Sequence, residues 1–185
     1  MKKRLIIGLV GNPGSGKSAL ASYLAETHGF YHFEGSAGIR ELADERGITL
    51  SSRKEYSDFH RQMQREYGAE VLAERLLARP EERLVFAGLR SVHNARLLQR
   101  VGGTIIAMEA PAVVRFERVD KTGLKYENNL ADFEASEQAE LVSPDGYGSD
   151  LGRVMQLADY HLDTASPITQ TYCEADEIIE RLKAT

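Results

Sequence analysis

The chain has 185 residues, enough for one domain with a sizeable core. Apolar residues make up 42% and charged residues 28%, and the formal net charge is −5. That balance argues against a general nucleic-acid or membrane-surface binder, whose footprint is a basic excess. The single cysteine, Cys173, has no partner for an internal disulfide, which fits a reducing compartment. Met1-Lys2-Lys3-Arg4 followed by LIIGLV resembles the start of a signal peptide. The apolar run stops at Gly11-Asn12-Pro13-Gly14, too short for a signal core or a membrane span. The expectation is a soluble cytoplasmic protein, one domain over 1–185, with neither nucleic acid nor membrane as partner.

RLIIGLV (4–10) is a short β-branched run, the pattern of a strand buried on both faces. Residues 17–28 favour helix and stop at Gly29. FYHFE (30–34) predicts a second strand and 37–46 a polar helix ended by Gly47. Ser52 and Glu55 have capping-box spacing and open a helix to about Tyr67. Residues 69–79 continue helical until Pro80, and RLVFA (83–87) is a third strand. A helix over 92–101 closes at Gly102-Gly103, and TIIAMEA (104–110) is a fourth strand. Pro111 suits a first helical position, with the helix running to about Val119. Helix is expected at 132–142 and again near 151–157, then a short strand at 159–163. Ser166-Pro167 opens the last helix, to about Lys183. Strands alternating with helices predict a three-layer α/β/α sandwich around a five-stranded parallel sheet. The helical stretch 36–80 is longer than a crossover needs and suggests an insertion that covers something.

Gly11-Asn12-Pro13-Gly14-Ser15-Gly16-Lys17-Ser18 satisfies G-x-x-x-x-G-K-[ST], with a strand before and a helix after. Glycines reach positive φ and turn backbone N–H groups inward as a nest for anionic oxygens. The following helix start, reaching Ala19, adds unpaired N–H groups and its positive dipole end. Lys17 supplies a compact charge toward the β- and γ-phosphates, and Ser18 offers a hydroxyl to Mg²⁺. A chance match arises about once in 30,000 positions at average composition. The loop therefore predicts binding of ATP with Mg²⁺.

No N-K-x-D base reader of a GTPase occurs. AAA-type and motor ATPases end an apolar strand in Asp-Glu, whereas the third strand here ends in Ala87-Gly88. The short chain and the helical insertion suit a small kinase, which lays an acceptor beside the loop and closes over the phosphates. In order, GNPGSGKS, EGSAGIRE, FAGLRS, APAVVRFERV and LADYHLDTAS resemble the landmarks of small P-loop kinases. The likeness is to dephospho-CoA kinase and to archaeal adenylate-kinase-related proteins, and it spans residues 4–183. It implies the strand order 2-3-1-4-5.

The resemblance implies roles for particular residues. Glu34, ending the second strand, would receive the acceptor hydroxyl's proton or orient it. Arg40 would belong to the acceptor site. Arg90, after the third strand, would grip the acceptor's phosphate with its planar fork, and Gly88 would let the backbone approach. Lys17, Glu34 and Arg90 would carry catalysis. Arg115 and Arg118, three apart on one helix face, would form with Lys121 and Lys125 the base of a lid at about 119–131. Thr164, Ala165 and Ser166 would lie near the adenine ring. Ser36 and Ala87 depart from relatives that carry aspartate there. From Glu127 to Gly152 there are seven acids and no Lys or Arg, read as a solvated face and loop.

The implied activity is transfer of the γ-phosphoryl of Mg·ATP to a nucleotide-like acceptor, dephospho-CoA or a nucleoside monophosphate. The alternative is a degenerate kinase, acting as a nucleotide-binding switch or slow ATPase with a protein partner. Tyr56, Phe59, Met63 and Tyr67 at helical spacing read as the core face of the insertion, with a pocket for a planar base as the sharper reading. The five histidines lack metal-ligand spacing and read as surface or core residues.

Overall fold

The computed structural model describes residues 4–121, 129–138, 141 and 146–184. Five strands form one sheet: β1 (Leu5–Val10), β2 (Tyr31–Glu34), β3 (Arg83–Ala87), β4 (Thr104–Glu109) and β5 (Tyr160–Asp163). Every pairing is parallel, as the alternation of strands and helices predicted, and the order is β2-β3-β1-β4-β5, as the kinase resemblance implied. In register, Leu9 and Glu34 both lie opposite Ala87, and Val10 opposite Ala107. The strands therefore end together, and the loops that leave them share one rim. In an open α/β sheet that rim is where ligands bind.

Side chains alternate between the two faces of each strand. Ile7, Leu9, Val85, Ile106 and Met108 pack against α1 (Lys17–His28) and α9 (Ile168–Ala184). Ile6, Val10, Leu84, Phe86 and Ile105 face the other way. They meet α2 (Gly35–Asp44), α3 (Arg53–Tyr67), α4 (Val71–Leu77), α5 (Val92–Arg100) and α8 (Leu151–Gln156). The sheet is thus covered on both sides, which explains its near-continuous apolar strands. α6 (Ala112–Lys121) and α7 (Leu130–Gln138) complete the described helices. No helix among the described residues is long and apolar enough to cross a membrane.

The insertion comprises α2, α3 and α4. Ser52 and Glu55 form the expected capping box. α2 begins at Gly35, two residues before the expected 37, directly at the end of β2. A Cβ at Gly35 would lie 3.0 Å from Phe86 and 3.2 Å from the Gly88 oxygen, so a glycine lets the helix start against the sheet without a linker. Along α3, Phe59 and Met63 are core, as the spacing suggested, but Tyr67 is exposed and donates no core surface. Pro111 stands one residue before α6 rather than inside it, its carbonyl accepting the Arg115 N–H at 3.1 Å.

Candidate nucleotide-binding site

The loop between β1 and α1 is built by backbone conformation. Gly14 and Gly16 have φ of 76° and 88°, values that L side chains rarely adopt. A Cβ at Gly14 would fall 2.4 Å from the Arg115 carbonyl oxygen, so α6 is packed onto the loop through a missing side chain. Gly16 is the N-cap of α1 and supplies no side-chain cap, so the first N–H groups of α1 are left for an outside acceptor. Lys17 folds back across the loop, donating to the Asn12 carbonyl at 2.8 Å and to Ser15 Oγ at 3.3 Å. Burial and the charge of Arg90 lower its pKa to about 7.

At the rim, Ser18 Oγ donates to Glu34 Oε2 at 3.2 Å. His32, two residues earlier on the same face of β2, places Nε2 3.3 Å from that carboxylate oxygen. A Cβ at Gly88 would lie 3.2 Å from Glu34 Oε1, so this glycine keeps the space beside the carboxylate open. A hydroxyl and a carboxylate so close are hard oxygen donors of the kind Mg²⁺ prefers, and the uncapped amides with Lys17 suit a polyphosphate. The residues present therefore fit the ligands that the motif implies.

The predicted residues separate into groups. Gly11, Asn12, Pro13, Gly14, Ser15, Gly16, Lys17, Ser18 and Ala19 form the loop and first turn, and Glu34, Gly88 and Arg90 stand on the neighbouring strand ends. Arg40 lies farther out on α2, exposed, donating to the Tyr56 hydroxyl at 3.0 Å. Arg118 is at the loop's other side, donating to Thr164 O at 2.6 Å and to Gly14 O at 3.4 Å. It borders a pocket lined by Ser15, Gly16, Ala19, Thr164 and Tyr172. Of the three base-pocket candidates only Thr164 lines it, and its hydroxyl and N–H both donate to Glu109 O.

Two expectations need correction. Arg115 is not presented as a lid residue. It is 5% exposed and forms an ion pair with Glu137, with Nη2 to Oε2 at 2.9 Å. Its remaining donors go to Pro13 O at 3.2 Å and Ala110 O at 2.8 Å, so it braces the loop from beneath. The acidic stretch is not a solvated face throughout, because Glu137 is 6% exposed and Phe133 beside it is buried. The lid proper, with Lys125, falls mostly on 122–128, outside the described residues.

The family model described as an AAA domain matches residues 7–140. A UPF0200 protein of Hyperthermus butylicus is 33% identical over 184 residues, covering 97% of this chain and 95% of that one. The chain belongs to the AAA domain family and to the UPF0200 proteins. It does so although β3 ends in Ala87-Gly88 rather than in an Asp-Glu pair. A cytidylate kinase of Pyrococcus furiosus is 35% identical over 118 residues, 62% of this chain and 56% of that protein. In three dimensions the chain is similar to a gluconokinase from Sinorhizobium meliloti 1021. The TM-score is 0.61 at 20% identity, covering 100% of this chain and 96% of the other. The architecture is therefore that of the P-loop kinases.

Sequence reasoning missed Glu137 and Tyr172. Glu137 was hidden among other acids. Tyr172 lies on the buried side of α9, which the amphipathic pattern could have supplied. His60 occupies the same face of α3 as Gln64, both buried within an otherwise polar helix.

Proposed function

We propose that the chain is an ATP-dependent phosphotransferase that moves the γ-phosphoryl of Mg·ATP to a nucleotide-like acceptor, dephospho-CoA or a nucleoside monophosphate. One observation carries the reading: the donor loop and an acid meet at Ser18 and Glu34, on the rim where Arg90 also emerges. The amides of the loop and Lys17 hold the polyphosphate. The Arg90 fork takes the anionic group of the acceptor. Glu34 orients the attacking oxygen or receives its proton. Mg²⁺, when bound, would neutralise phosphate charge, and Ser18 is the residue whose hydroxyl would hold it. Catalysis is then positioning and charge neutralisation, with no covalent intermediate on the chain. A cytoplasmic setting accords with a substrate of this kind.

A second reading, a nucleotide-binding switch or slow ATPase, has one observation in its favour: Arg115 is buried and paired with Glu137, so its guanidinium is not presented to the phosphates as a lid arginine would be. Lys17→Ala distinguishes them when acceptors are screened with Mg·ATP. The kinase reading expects acceptor-dependent ADP release in the wild type and none in the variant. Unchanged phosphoryl transfer by Lys17→Ala would refute the donor assignment. Tight ATP binding without acceptor-dependent turnover would favour the switch.

A further inference from the structure

The cavity that Arg118 borders opens directly off the phosphate loop, because Ser15, Gly16 and Ala19 form one side of it. Its volume is about 190 Å³. That is below the roughly 300–1,000 Å³ of a pocket for a whole small molecule, so it has room for one ring system and not for a whole nucleotide. The opposite wall is mainly apolar, with Leu20, Met108, Ile168 and the Tyr172 ring.

The polar groups around it are taken up by the protein. The Thr164 N–H and hydroxyl both donate to Glu109 O, at 2.7 and 3.0 Å. The next N–H, of Ala165, donates to Asp163 Oδ1 at 2.8 Å. Thr164 O accepts from Arg118 at 2.6 Å, and Ser15 Oγ accepts from Lys17 at 3.3 Å. Groups bonded within the fold in this way are not offered to the edge of a ring.

Tyr172, by contrast, is held as a surface. Its ring stacks on Tyr23 of α1, with centroids 4.0 Å apart and planes 4° from parallel. The Tyr23 hydroxyl donates to Asp176 Oδ2 at 2.8 Å, and His28 Nε2 lies 2.7 Å from Asp176 Oδ1. These side chains tie α1 to α9 beside the cavity, and phosphoryl transfer leaves them unused. One face of Tyr172 is covered by Tyr23, so the cavity meets its other face or its edge.

We propose that the donor site tells bases apart by ring size and not by their hydrogen-bonding edge: it accepts adenine and guanine nucleoside triphosphates alike and disfavours pyrimidines, with Tyr172 as the specificity residue. This rests on the donor assignment of the kinase reading and specifies what that site reads. Adenine carries an amino donor where guanine carries a carbonyl acceptor. A site that hydrogen-bonds such a group rejects the wrong partner by about 10⁴-fold or more, whereas an apolar pocket separates rings of equal size weakly. A pyrimidine has less ring to lay on the same wall and gains less from it.

The test is calorimetric titration of the whole chain, in Mg²⁺, with tripolyphosphate and with the uncleaved β,γ-imido analogues of ATP, GTP, CTP and UTP. In the wild type the ATP and GTP analogues should bind within about tenfold of each other, and each at least about fivefold more tightly than the CTP and UTP analogues. A wider gap between the two purines overturns the proposal, as does a smaller purine advantage. Tyr172→Ala should cut that advantage to less than half, while tripolyphosphate, which has no ring, binds as in the wild type. Tyr172→Phe, which keeps the ring, should restore it. An advantage kept above half in Tyr172→Ala overturns the proposal, and so does a loss that extends equally to tripolyphosphate. Should Tyr172→Ala fail to fold, the four wild-type affinities decide. Failure of the donor assignment itself would show separately, as no binding of tripolyphosphate or of any nucleotide by the wild type.

Discussion

Ser18 and Glu34 touch across the rim of the sheet, Oγ to Oε2 at 3.2 Å, and so join the first turn of α1 to the last residue of β2. The contact sets the acid against the donor loop, while Gly88 keeps its other oxygen clear. Glu34→Gln retains the size and one carbonyl oxygen but removes the charge. With Mg·ATP and an acceptor that attacks through a hydroxyl, we expect kcat to fall by about 100-fold or more, the usual share of a general base. Steady-state kinetics checks this, and a variant with wild-type kcat would remove Glu34 from the chemistry.

Lys17 leads to a pH prediction for ATP binding. Its pKa in the free protein is lowered to about 7, chiefly by burial and then by Arg90. A bound polyphosphate favours the ammonium and raises that pKa. Below pH 7 the lysine is already charged and binding takes up little proton. Above pH 7 each binding event must protonate it, so affinity falls as pH rises, by at most about tenfold per pH unit. Calorimetry at pH 8 in two buffers of different ionisation enthalpy should show net proton uptake from this lysine, absent in Lys17→Met. No difference between the wild type and Lys17→Met would contradict the assignment.

The Arg115–Glu137 pair should matter for stability as well as for the loop. Both side chains are buried, so solvent screens the pair weakly. Glu137→Ala strands a guanidinium that still holds Pro13 O and Ala110 O. Loss of one partner of such a pair costs about 3–5 kcal/mol. Arg115→Met with Glu137→Leu should cost clearly less, because no charge is left unpaired. Urea unfolding of the three proteins measures the difference, and equal losses in the single and double variants would show that charge pairing is not the cause.

The sheet and the loop were legible because their signals are local. Apolar runs of five to seven residues, closed by Gly29, Gly88 and Gly102, mark strands and helix ends without knowledge of their neighbours. Glu34, Gly88 and Arg90 could be placed because strand ends in a parallel sheet fall on one rim. What escaped is long-range pairing. Arg115 looks like any exposed helix arginine until Glu137, on a different helix, is folded beneath it. Its three-residue spacing from Arg118 suggested a shared role, yet Arg115 braces Pro13 while Arg118 reaches Thr164.

Two glycines that share a positive φ should respond differently to alanine. Gly14 and Gly47 have φ of 76° and 67°, so each substitution carries the left-handed penalty, about 1–2 kcal/mol. At Gly47 the new Cβ meets nothing within 4 Å, and that penalty is the whole effect. At Gly14 it meets the Arg115 backbone, with the oxygen at 2.4 Å and the carbonyl carbon at 2.9 Å. Backbone on both sides cannot step aside as a side chain could, so the loop or α6 must move and the amide nest opens. Gly14→Ala should therefore lose Mg·ATP affinity by about 100-fold or more, the equivalent of about 3 kcal/mol. Gly47→Ala should bind as the wild type does and show only the smaller stability loss. Thermal unfolding with and without Mg·ATP reads both quantities, because a ligand stabilises only the form that binds it. Equal ATP-induced shifts in the two variants would mean that the close approach of α6 does not shape the loop.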